Sequence, residues 1–196
     1  MEKIDYTEYI LSDGFTNTTL AMTQRAGRIH SDVNQDYDGK PYIHHLLSVR
    51  MWAMEYLPYV CEKVDDVIPI VFGALFHDTI EDARLTYNDV MKIAKEYMTD
   101  EQSYTATEIV YALTNEKGRN RHERANDKYY QGIRECKYAP LVKAADRLAN
   151  YNYAKSTHSK MEKCYQKEMM DFVKDALTSE SGELLVPQVM VDELFK

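Results

Sequence analysis

The hexapeptide His77-Asp78-Thr79-Ile80-Glu81-Asp82 packs four ionisable groups into six residues and directly follows the apolar run Val67 to Phe76. Three of the four are carboxylates. Crowded like charges are costly unless a cation lies among them, and a divalent metal is the simplest such cation. On a continuing helix, His77 would share a face with Glu81, and Asp78 with Asp82, the two faces lying one residue's rotation apart. The preceding run is apolar almost all round, which marks a buried helix. Its acidic end is then partly buried too, where carboxylates need a partner or a metal. The ordinary alternative is a solvated acidic last turn, but that would set the carboxylates against the helix macrodipole.

Two further sites place polar groups where a core is expected. His44-His45 lies in Pro41-Tyr42-Ile43-His44-His45-Leu46-Leu47. Adjacent helical residues point about 100° apart, so one of the two faces the core. Taken alone, such a histidine is more often a satisfied core residue than a ligand. Asp146 lies in Leu141-Val142-Lys143-Ala144-Ala145-Asp146-Arg147-Leu148-Ala149-Asn150 and shares a face with Asn150. Alone, it would read as half of an Asp146–arginine ion pair. Together the three sites supply two imidazoles and two carboxylates from three helices. That mixture suits Mn²⁺, Fe²⁺ or Zn²⁺ better than Ca²⁺, and a helix bundle is a natural place for such ligands to converge.

In this order, Pro-Tyr-Ile-x-His, His-Asp-Thr-Ile-Glu-Asp and Lys-Ala-Ala-Asp-Arg-Leu-Ala-Asn resemble the HD superfamily of metal-dependent phosphohydrolases. Within it they closely resemble the hydrolase domain of RelA/SpoT enzymes and the small alarmone hydrolases, over about residues 20–155. The resemblance implies an all-α, single compact HD-domain bundle. It implies His45 rather than His44 as a ligand, with His77, Asp78 and Asp146 completing the set around one Mn²⁺ (Fe²⁺ or Zn²⁺ being the other candidates). It assigns Glu81 and Asp82 to the attacking water and Asn150 to the substrate. The implied reaction removes pyrophosphate from the 3′ position of guanosine tetra- or pentaphosphate.

One departure stands out. Five and six residues after the first-helix histidine, here His30, the family usually carries an Arg-Lys pair that holds the guanine nucleotide. This chain has Gln35 and Asp36. A second enzymatic reading therefore stands beside the first: an HD nucleotidase acting on another nucleotide, such as a deoxynucleoside monophosphate. A third is a non-catalytic nucleotide-binding regulator, against which the intact ligand set and Glu81-Asp82 argue. The stretch 114–126 holds Arg119, Arg121 and Arg124, with Lys117 beside them and Lys128 just beyond. These can supply phosphate-binding cations or form a solvated helix start.

The elements that must position these residues read as nearly all helix, because apolar positions recur at three- and four-residue steps. Helices are expected at 17–32, from Pro41 to about Val60, from Asp65 or Asp66 to near Asp82, from Thr86 to about Tyr97, at 102–113, at about 120–135, and from Pro140 to Leu177 with a break near Ser156. The segment 31–40 is expected to be a loop. Residues 1–178 form the expected hydrolase domain, and 179–196 a linker and tail amphipathic enough to dock.

Composition bounds the rest. At 196 residues, 44% hydrophobic and 29% charged, the chain fits one soluble domain. A net charge of −8 argues against polymeric nucleic acid, which needs a basic surface, and leaves room for a small phosphorylated ligand. No run is long enough to span a bilayer, and the expected location is cytoplasmic. The odd, widely spaced cysteines, Cys61, Cys136 and Cys164, are expected to stay reduced. No synthetase domain is expected, and assembly into homo-oligomers is left open.

Overall fold

The computed structural model describes residues 5–115 and 119–196, with only the backbone of 121–122. The chain is a helical bundle. In order, α1 spans Thr7–Ile10, α2 Asp13–Asp32, α3 Ile43–Tyr56, α4 Val67–Phe76, α5 Tyr87–Ala94, α6 Asp100–Leu113, α7 Arg121–Arg124, α8 Asp127–Glu135, α9 Ala139–Ser156, α10 Met161–Leu177 and α11 Gln188–Leu194. A two-stranded antiparallel hairpin, β1 (Asp36–Tyr37) and β2 (Lys40–Pro41), joins α2 to α3.

The centre of the bundle is α4. All ten of its residues are buried, including Pro69 in its first turn, where a missing N–H leaves no bond unmade. It packs between α3 and α6, and α9 packs along α3. Gly73 lets α4 and α6 approach closely: a Cβ there would stand 2.5 Å from Ile109 Cγ2. Capping boxes open α5 (Thr86 with Asp89) and α6 (Thr99 with Gln102), each satisfying two otherwise orphaned N–H groups.

Several sequence expectations change in detail. Residues 31–40 are not wholly a loop. Asp38 and Gly39, both at positive φ (55° and 76°), make the tight turn of the hairpin, and Asp-Gly is the dipeptide such turns favour. Pro41 ends β2 rather than opening α3. The α4 helix stops at Phe76, but the chain keeps turning through Ala83, with Asp82 N–H donating to Asp78 O at 2.8 Å and Ala83 N–H to Thr79 O at 3.2 Å. No side chain caps α4; instead the Asp66 carboxylate accepts from the Tyr138 hydroxyl at 2.5 Å. The helix expected at 120–135 is split in two, with Asn126 capping the second piece.

The long helix breaks after Ser156, as its sequence suggests. Arg147 fastens α9 to α10, lying over Tyr165 and Phe172 and pairing with Glu168 at 3.2 Å. Past α10 the backbone doubles back, Leu185 N–H donating to Leu177 O at 2.9 Å. Helix α11 then buries Met190, Val191 and Leu194 alongside α9. No helix of the described residues is long and apolar enough to cross a membrane, and the three cysteines form no disulfide.

Candidate metal centre

Three elements deliver the polar side chains. His45 comes from the first turn of α3, on its buried face, while His44 points to solvent. His77 and Asp78 come from the turn that ends α4, and Asp146 from the middle of α9. The rings are 2% (His45) and 3% (His77) exposed. His77 Nδ1 lies 3.0 Å from the Ala74 carbonyl oxygen. The donor in that bond is Nδ1–H, which turns Nε2 toward the centre, where it offers its lone pair to a metal once its own proton has left.

Four atoms converge there. His45 Nε2 and His77 Nε2 are 3.4 Å apart. Asp146 Oδ1 is 3.4 Å from His45 Nε2 and 3.7 Å from His77 Nε2. Asp78 Oδ2 is 2.9 Å from His77 Nε2 and 3.7 Å from His45 Nε2. A transition ion with bonds of about 2.0–2.1 Å sets neighbouring ligand atoms about 3.0–3.4 Å apart, close to the spacing found. The donor set also fits the charge requirement. Two buried imidazole nitrogens and two carboxylates facing one point need a positive charge between them. His45, His77 and Asp146 place their ligand atoms all within 4.8 Å of one another and can hold a divalent metal.

The titration of these groups carries the same message. Burial alone would lower the His77 pKa, but Asp78 and Asp146 overcome it and lift the ring to about 9. Burial alone would raise the Asp78 carboxyl, yet His77 holds it down at about 2. Asp146 is also opposed by burial and is drawn well below the carboxylate range, chiefly by Lys143 and then the imidazoles.

A second layer of side chains holds these donors, and sequence reasoning missed most of it. The Tyr42 hydroxyl donates to Asp78 Oδ2 at 2.5 Å; burial first, and then Asp78, keep that phenol protonated. Lys143 donates to Asp146 Oδ2 at 3.0 Å, so the cation beside Asp146 is this lysine and not the arginine of the alternative reading, while Arg147 turns away toward Glu168. Asn150 Nδ2 donates to Asp146 Oδ1 at 2.5 Å, and Asn150 Oδ1 accepts from the Tyr37 hydroxyl at 2.9 Å. The Tyr37 ring stacks on His45, centroids 4.8 Å apart, and His30 stacks on Tyr42 at 4.3 Å. His30 is fully buried with neither ring nitrogen bonded, and burial lowers its pKa to about 4.

The acids of the hexapeptide diverge. Asp82 stays near the centre, accepting from Gln35 Nε2 at 3.2 Å. Burial, then Asp78 and Glu81, push its carboxyl up to about 6. Glu81 turns outward, its two oxygens taken by Asn115 Nδ2 at 2.7 Å and by the Arg124 guanidinium at 3.4 Å. Arg119 pairs with Glu123 at 3.3 Å and is 91% exposed. The Arg121 side chain and Lys117 lie outside the described residues. A groove of about 730 Å³ between α6 and α8 is lined by none of the converging ligands.

No family model matches the chain. Among curated proteins it is 28% identical to the guanosine-3′,5′-bis(diphosphate) 3′-pyrophosphohydrolase MESH1 of Danio rerio, over 117 residues. That match covers 60% of this chain and 57% of the length of the relative. Among solved structures, the fold matches a metazoan ortholog of SpoT described as hydrolysing ppGpp and acting in starvation responses. The TM-score is 0.62 at 21% identity, covering 91% of this chain and 93% of that one. The chain is thus similar to these hydrolases in sequence and in fold. The all-α bundle expected from sequence is the architecture found, and the converging histidines and aspartate occupy its core.

Proposed function

We propose that this protein is a metal-dependent phosphohydrolase that removes pyrophosphate from the 3′ position of a guanosine alarmone-type (p)ppGpp nucleotide. The observation that carries the reading is the convergence of His45, His77 and Asp146, with Asp78 beside the same imidazoles and each carboxylate oxygen 2.9–3.7 Å from the two ring nitrogens. In this reading the four residues hold one divalent ion, with Mn²⁺ the first choice. When bound, such an ion supplies a hydroxide near neutral pH and offsets phosphoryl charge. The chain's own residues do the rest. Asp82, held by Gln35, orients the attacking water and takes its proton, and Glu81 joins it once released from Asn115 and Arg124. Asn150 positions the substrate beside Asp146. Arg119, Arg121 and Arg124 bind the remaining phosphates, for which guanidinium forks are well shaped. The relative that acts on guanosine-3′,5′-bis(diphosphate) supports this choice of substrate.

A second reading is favoured by one contact. Gln35 stands where an Arg would hold guanine in the resembled family, and here its amide is committed to Asp82. An HD nucleotidase acting on another nucleotide fits that departure. The test is a substrate panel: purified protein with Mn²⁺ is offered guanosine and adenosine 3′-pyrophosphates, deoxynucleoside monophosphates and cyclic nucleotides, with products separated by chromatography. Pyrophosphate released from a guanosine 3′-diphosphate supports the first reading. Phosphate released from a monophosphate alone replaces it with the second.

A further inference from the structure

Asp146 is the one ligand whose two carboxylate oxygens have separate, opposed partners. Oδ1 faces the imidazoles of His45 and His77 and accepts from Asn150. Oδ2 is held from the other side by the Lys143 ammonium at 3.0 Å. Lys143 and Asp146 lie three residues apart on α9 and so share a face of one rigid helix. The lysine side chain is only 18% exposed. Its ammonium lies 5.7 Å from the centroid of the Tyr129 ring, whose hydroxyl is tied to the Leu113 carbonyl. A lysine is rarely placed in such a position without a task, because its charge is costly to bury.

We propose that Lys143 is a positioning residue that restricts Asp146 to one ligating oxygen and thereby sets which ion the centre accepts. This inference rests on the metal-centre reading above. A carboxylate with both oxygens free can chelate. Chelating carboxylates and all-oxygen shells suit the larger Ca²⁺, which takes six to eight oxygen ligands in flexible geometry. A carboxylate pinned at Oδ2 offers one oxygen in a fixed direction. Set beside two imidazoles, it favours a smaller ion with fewer ligands. The pin is geometric and electrostatic at once: the ammonium occupies the second oxygen and also offsets part of the acidic charge that would draw any cation.

The test compares Mn²⁺ and Ca²⁺ binding by calorimetry, using full-length protein freed of metal and checked for fold by far-UV circular dichroism. Wild type and Lys143→Arg are expected to bind Mn²⁺ at least roughly tenfold tighter than Ca²⁺. In Lys143→Met and Lys143→Gln that ratio is expected to narrow several-fold, with the helical signal unchanged. A folded neutral variant with the wild-type ratio would overturn the role given to Lys143. A wild type that binds neither ion would instead overturn the metal centre itself. A crystal structure of the wild type with Mn²⁺ checks the same point without a variant. Asp146 bound through Oδ1 alone, with Oδ2 on Lys143, supports the inference, and both oxygens on the ion refute it.

Discussion

The buried centre and the basic rim are built on opposite plans. At the centre the donors sit on three elements fixed by core packing, and three of the four are held from behind: His77 by the Ala74 carbonyl, Asp78 by Tyr42, Asp146 by Lys143 and Asn150. Their charges face inward and leave a cation-shaped requirement. At the rim the cations already have partners, Arg119 on Glu123 and Arg124 on Glu81, and these pairs are open to solvent. Exposed pairs of this kind contribute little to stability, roughly 0–1 kcal/mol each. The contrast teaches that the geometry of the centre is fixed by the fold, whereas in the proposed reading ligand recognition at the rim would require ion pairs to exchange partners.

Substitutions at the two regions should therefore differ in kind as well as size. The largest effect is expected at the centre. His77→Ala or Asp78→Ala abolishes turnover and weakens metal binding while the circular dichroism spectrum stays helical. Undiminished hydrolysis by pure Asp78→Ala protein would remove it from the ligand set. Tyr42→Phe, which deletes one support, is expected to cost about 10–100-fold in metal affinity, measured by titration with Mn²⁺. At the rim, Arg124→Ala is expected to raise KM roughly tenfold with a smaller change in kcat, the cost of one charge-assisted contact. A fall in kcat alone would instead place Arg124 with the reactive group, through its hold on Glu81. The smallest effect is expected far from both. Thr86→Ala removes the cap of α5 and costs about 1 kcal/mol in urea unfolding. A change in KM from that variant would show that the two regions are not insulated from the rest of the bundle.

What could be read from sequence follows the same division. His77, Asp78 and Asp146 were visible because polar residues interrupt apolar runs where burial is otherwise complete, a signal local to each helix. The choice of His45 over His44 came from resemblance, and the exposure of His44 agrees with it. The partners of these groups were harder. Lys143 and Arg147 flank Asp146 at three residues and one, and helical geometry favours the first, so that assignment was available from spacing. Tyr42 and Tyr37 reach the centre across the chain, through contacts between residues 36 and 113 positions apart in sequence, which no local pattern encodes. The hairpin was signalled only by Asp38-Gly39, too short a cue against a helical background. The outward turn of Glu81 depends on where α4 ends, and a boundary error of a few residues changes which acids share a face.

The bond between Tyr37 and Asn150 has a kinetic consequence. Asn150 gives its amide hydrogens to Asp146 and receives a hydrogen at its carbonyl from the phenol, while the same hairpin is tethered to α9 again through Tyr153 and Asp38 at 2.9 Å. In the proposed reading, a substrate seeking the Asn150 amide hydrogens must displace Asp146, and one seeking its carbonyl must share that oxygen with the tyrosine or displace it. Such a swap changes enthalpy little, since one hydrogen bond replaces another, but it adds a step to arrival and to departure. Residence time, more than equilibrium affinity, is where the hairpin will leave its mark.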